Sequence, residues 1–213
     1  MIQLPDELNL IVSLALLALI PFIAMMATSF VKLAVVFSLL RNALGVQQIP
    51  PNMALYGLAI ILSIFIMAPV GFETYDTSSM ISPLKILQVK LIESGLQPYR
   101  EFLKKHIRET EAIFFTDAAR TLWPQKYVDR LESDSLLLLL PAFTVSELTR
   151  AFEIGFLLYL PFIAIDLIVS NILLAMGMMM VSPMTISLPF KLLLFVLLDG
   201  WTKLTHGLVL SYG

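Results

Sequence analysis

The chain has no cysteine. That excludes disulfides, thiolate catalysis and cysteine-ligated metals. Histidine is scarce as well: His106 and His206 stand far apart, without the spacing of metal ligands. No H-E-x-x-H, G-x-S-x-G or phosphate-binding glycine loop occurs, so neither enzyme chemistry nor a cofactor is expected. Charged residues make up only 14% of the 213, and the net charge is −2, which offers nucleic acid no basic field. The opening residues Met1-Ile2-Gln3-Leu4-Pro5-Asp6-Glu7 are acidic rather than basic, and no small-residue cleavage site follows. The first apolar run is therefore expected to stay in place as the insertion signal. Internal repeats and low-complexity tracts are also missing.

What the chain has is apolar length. It is 58% hydrophobic with a mean hydropathy of +0.87, the composition of an integral membrane protein. The patterning predicts an all-α membrane protein of kinked helical hairpins, with about four apolar segments and a helical extracytoplasmic domain. Residues 8–31 run without a charge, long enough to cross a hydrocarbon core of about 30 Å, and Pro21 is expected to kink them. A linker carrying Lys32 and Arg41 ends at Pro50-Pro51, and residues 53–72 form a second apolar run. Residues 1–72 thus read as an N-terminal apolar hairpin.

Residues 73–135 differ in kind. They hold 10 acidic and 9 basic residues and read as a soluble domain of two or three amphipathic helices. Tyr99, Phe102, Leu103 and Ile107 continue into Phe114, Ala118 and Leu122 at helical spacing. Phe114-Phe115, Trp123 and Tyr127 are expected to form a small core or to lie at an interface. This region is expected to be the most replaceable, with small insertions near residues 77–82 tolerated. Residues 136–213 read as a C-terminal apolar hairpin, with residues 136–140 too short to span before Pro141. The positive-inside rule, applied to Lys32 and Arg41, places the first linker in the cytoplasm and residues 73–135 on the opposite face.

Two features of the last third ask for an explanation. Glu147, Arg150, Glu153, Asp166 and Lys191 lie within or beside apolar segments, where charge is expensive unless it faces protein or a water-filled cavity. Glu147, Arg150 and Glu153 share one side of a helix and can pair locally. Glu147 and Lys191 form a further expected pair, within or between subunits. With Pro21, Pro69, Pro141, Pro161 and Pro189 breaking the apolar runs, these charges imply shielding by neighbouring subunits. The second feature is Met176-Gly177-Met178-Met179-Met180, a turn between apolar segments that carries thioethers and no charge. Thioethers are soft and repack easily. They suit either a buried or lipid-facing filler or a deformable seal, whereas contiguous methionines without cysteine or nearby histidine make a poor copper site. A small ion-coupled transporter using Asp166 is the alternative reading.

Several stretches resemble a known family. They are Ala27-Thr-Ser-Phe-Val-Lys32, Leu40-Arg-Asn-Ala-Leu-Gly-Val-Gln-Gln-Ile-Pro-Pro-Asn52, Pro141-Ala-Phe-Thr-Val-Ser-Glu-Leu-Thr-Arg150, Leu160-Pro-Phe-Ile-Ala-Ile-Asp166, the methionine turn, Ser187-Leu-Pro-Phe-Lys191 and Leu198-Asp-Gly-Trp201. Together they resemble the R subunit of the type III secretion export apparatus (the SctR or YscR type), whose flagellar counterpart is FliP. The resemblance covers nearly the whole chain outside residues 73–135 and leans to the virulence branch. It implies a channel-forming core subunit of the export gate in the bacterial inner membrane, which lines and seals a conduit for unfolded proteins. It further implies a homopentamer with two smaller multi-pass subunits of the S and T types, projecting into the periplasm. Contacts with the switch autoprotease and the large export-gate component are implied too. On this resemblance Met178, Met179 and Met180 map to a pore gasket, with Met176 adjacent.

Overall fold

The computed structural model describes residues 6–46, 49–79, 96–129, 131–132 and 134–213. Every regular element among them is helical. In chain order these are α1 (Asp6–Met26), α2 (Phe30–Leu44), α3 (Asn52–Ser79), α4 (Gln97–His106), α5 (Glu109–Leu122), α6 (Gln125–Val128), α7 (Leu136–Ala175), α8 (Pro183–Leu197) and α9 (Gly200–Leu210). α3 and α7 are each long and apolar enough to cross a membrane, and the bent pairs α1–α2 and α8–α9 qualify if each counts as one span.

The first apolar segment does bend, by 63°, but not at Pro21, which lies inside α1. The break falls at Ala27–Ser29, where other elements supply polar partners. Tyr99 donates its hydroxyl to Ala27 O at 2.6 Å and Thr144 donates to Met26 O at 3.2 Å. Ser29 and Ser63 join Oγ to Oγ at 3.0 Å. A helix in apolar surroundings opens only where its freed backbone groups find partners. Proline removes one hydrogen bond and crowds the preceding turn, which can kink a helix without ending it. The same reasoning corrects the other expected breaks: Pro69, Pro141, Pro161 and Pro189 all lie within helices. Residues 136–140 are not a short separate piece but the first turns of the 40-residue α7, and Pro183 stands at the first position of α8.

α2 forms the centre. Leu33, Val36 and Phe37 pack with Leu55 and Ala59 of α3, Ala151 of α7 and Leu208 of α9. One turn on, Leu40, Ala43 and Leu44 meet Phe162 and Phe195. The crossing of α2 and α7 is close: a Cβ on Gly155 would stand 2.2 Å from Leu39 Cδ1, so a larger residue there would force Leu39 to move.

The region expected to be a separate soluble domain is joined to this body. α3 runs past residue 73 to Ser79. Phe102 and Leu103 of α4 share one core with Leu139 and Phe143 of α7 and with Tyr212. Phe114 and Tyr127 are exposed and build no core of their own. Residues 80–82 of the proposed insertion site at residues 77–82 lie outside the described residues.

Candidate functional site

α7 extends for about 60 Å at 1.5 Å per residue, twice the hydrocarbon thickness of a bilayer. α4 and α5 pack against its first half, and the methionine turn stands at its far end. The turn has a physical cause. Gly177, at φ +75°, takes the left-handed conformation after the helix C-cap Met176. Gly177 N donates to Leu174 O at 3.0 Å and Met178 N to Leu173 O at 2.9 Å. These two bonds satisfy carbonyls that the helix end leaves free. The chain then reverses into α8. Met176, Met178, Met179 and Met180 all lie exposed, Met180 completely at 100%. Behind them an apolar groove of about 390 Å³ separates the two arms, lined by Ile168, Ile172, Met176, Ile186 and Phe190 among others.

The charged residues are brought together in two centres rather than one. In the first, Glu147 is 0% exposed and faces Lys32 of α2 at 3.5 Å and Arg150 at 3.3 Å. Tyr212 donates its hydroxyl to the second carboxylate oxygen, and Arg150 also donates to His106 O at 2.9 Å. Burial holds the His106 imidazole below its usual pKa of 6.5, so its neutral form belongs to the folded state. In the second centre, Lys191 of α8 donates to Asp166 Oδ2 of α7 at 2.6 Å and to Ala43 O at the end of α2 at 3.2 Å. Ser187 donates to the other oxygen of Asp166 at 2.6 Å. Glu153 stands apart, exposed and paired with Arg108 at 3.1 Å.

These geometries correct two expectations and bear on a third. Within the chain Glu147 and Lys191 do not pair; each has a nearer opposite charge. Asp166, the carboxylate of the transporter alternative, is answered by an ammonium and a hydroxyl. Lys32 is no loop charge but sits at 1% exposure inside α2. The topology argument therefore keeps only Arg41, which donates to Asn52 Oδ1. The sequence had one signal for the Lys32 role: a lysine directly following a 24-residue uncharged run, at a depth where an ion pair is the usual answer to charge.

The model of the FliP family matches residues 13–208. The chain belongs to the FliP family. It is 74% identical over 216 aligned residues to the Yop proteins translocation protein R of Yersinia pestis, with 100% of each chain covered. It is 54% identical over 213 residues to the virulence protein YscR of Salmonella typhimurium, with 99% of each covered. It is 51% identical over 209 residues to the hypersensitivity response secretion protein HrcR of Ralstonia nicotianae, with 96% of each covered. The resemblance to the type III secretion R subunit is therefore borne out. The FliP-family match spans the methionine turn, the second charge centre and the first except for Ser211 and Tyr212.

Proposed function

We propose that this protein is a channel-forming core subunit of the type III protein export gate in the bacterial inner membrane. Copies of it, with two smaller multi-pass subunits of the apparatus, build a conduit for unfolded proteins and hold it shut at rest. The carrying observation is the turn at residues 176–180: thioethers with no charge, exposed at the tip of a hairpin whose arms also expose Phe156, Leu167, Ile172, Phe190 and Val196. A single chain leaves these surfaces uncovered, and ring symmetry would bring several tips to one axis. There they exclude water as a hydrophobic constriction and yield to a passing chain, because thioethers repack at low cost. The length of α7 supports a hairpin standing partly outside the bilayer, with α4–α6 on the periplasmic side. Glu147 and Lys191 are both buried and answered within one chain, so contacts between copies fall to the exposed apolar surfaces instead. The subunit itself carries out no bond chemistry.

The experiment replaces Met178, Met179 and Met180 together with alanine in the assembled complex. Assembly is expected to persist, since none of the three is buried. The inner membrane is expected to leak small ions. A membrane as tight as wild type around a fully assembled mutant ring would remove the seal from this turn.

A further inference from the structure

Residues 211 and 212 follow α9 and reach into a charge centre built by three other helices. Tyr212 is 8% exposed. Its ring stacks on Phe102 of α4, at 6.1 Å between centroids and 14° between planes, and lies 5.1 Å from the His106 ring. The Lys32 ammonium of α2 stands 3.5 Å over the same ring, while Ser211 Oγ accepts from Lys32 Nζ at 3.0 Å. The Tyr212 hydroxyl donates to Glu147 Oε2 of α7. One side chain therefore meets α2, α4 and α7.

The buried carboxylate explains why this matters. Burying a charge is costly unless every lone pair is answered. Oε1 of Glu147 accepts from Arg150 at 3.3 Å. Oε2 has Tyr212 as its hydrogen-bond donor, because Lys32 at 3.5 Å is long for a charge-assisted hydrogen bond. Lys32 in turn places its protons on Ser211 and on the aromatic face, which attracts a cation. Both ends of the ion pair are thus completed by two adjacent residues far away in sequence.

We propose that Tyr212 is a positioning residue: its hydroxyl and ring hold the Lys32–Glu147–Arg150 centre in the form that docks α4 on the hairpins, and so set the assembly-competent shape of the chain. The proposal rests on the export-gate reading only for what is assembled. The role of Tyr212 acts through charge, and that separates it from plain packing.

The test compares Tyr212→Phe in two full-length backgrounds, wild type and the neutral centre Lys32→Met/Glu147→Leu/Arg150→Met, each co-expressed with the neighbouring subunits. Two readouts apply: the ratio of assembled to free subunit on native gels, and the rate of trypsin cleavage at the exposed Lys104 and Lys105, which reports release of α4. In wild type, loss of a hydrogen bond to a buried charge is expected to lower the ratio and raise the cleavage rate by about tenfold. In the neutral background the same substitution is expected to change either by less than about twofold. Equal losses in both backgrounds would reduce Tyr212 to packing, and no loss in wild type would remove it altogether; either overturns the proposal. If Tyr212→Phe fails to accumulate in wild type, recovery in the neutral background sustains the proposal and failure there overturns it. If the neutral background itself does not accumulate, wild type decides alone: a tenfold loss sustains the proposal, and parity overturns it. The methionine turn lies roughly 40 Å along α7 from Glu147, so a failed leak test on the seal leaves this comparison readable.

Discussion

The two halves of α7 follow opposite rules. Residues 136–155 bury Leu139, Phe143, Ser146, Glu147 and Ala151 against α2 and α4, and every charge that enters is answered within the chain. Residues 156–175 bury Phe162, Val169 and Leu173 but expose Phe156, Leu160, Leu167, Ile172 and Leu174, and end in the uncovered methionine turn. The same helix, with apolar residues throughout, is self-sufficient at its root and unfinished at its tip. Apolarity thus does not separate the halves. Both halves have their charges answered within the chain, Asp166 included; what separates them is how much apolar surface α2 and α4 cover, since the root exposes Leu137 and Phe152 but buries most of its inner face.

The contrast is broken most severely at the root. Glu147→Leu leaves buried Lys32 beside half-buried Arg150 without an anion, a cost of about 3–5 kcal/mol. Detergent-stable protein is expected to fall to a small fraction of wild type, and adding Lys32→Met is expected to recover part of it. A normal yield from the single mutant would show that charge does not hold the root. The two glycines sharpen the comparison next. Gly155→Ala drives a methyl into Leu39 and is expected to cost about 1–3 kcal/mol as overpacking. Gly177→Ala meets open space at positive φ and is expected to cost about 1–2 kcal/mol through backbone strain alone. Shrinking Leu39 to alanine is expected to rescue the first and leave the second unchanged, as read by urea midpoints in detergent.

A smaller effect concerns pH. The folded pKa of His106 lies below the unfolded 6.5, so the unfolded chain takes up the proton first. The stability tied to neutral His106 is whole above about pH 6.5 and is lost as pH falls below it. His106→Gln is expected to flatten the midpoint between pH 7 and 5.5; an unchanged slope would assign the titration to other groups. The smallest effect is expected at the tip, where Met180→Ala removes a fully exposed side chain. Its midpoint is expected to stay within about 0.5 kcal/mol of wild type.

Much of the site was legible in the residues. The uncharged methionine run, the glycine that turns it and the anomalous depth of Glu147, Asp166 and Lys191 all stand in the linear sequence. Each breaks a local expectation for its surroundings, and a break of that kind is visible without coordinates. Helical class and apolar segments were legible for the same reason, because periodicity and composition act locally. The partners were not. Lys32 looked like a linker charge, Tyr212 like part of an apolar tail, and Tyr99 like one more aromatic of a detached domain. Their roles depend on contacts across 115, 65 and 72 positions of chain. By itself the sequence determined an all-helical membrane protein with a soft apolar turn and costly buried charges. Tertiary structure alone decided where helices break and which charges pair, because both are settled by whichever distant group arrives to satisfy a freed carbonyl or a buried ion.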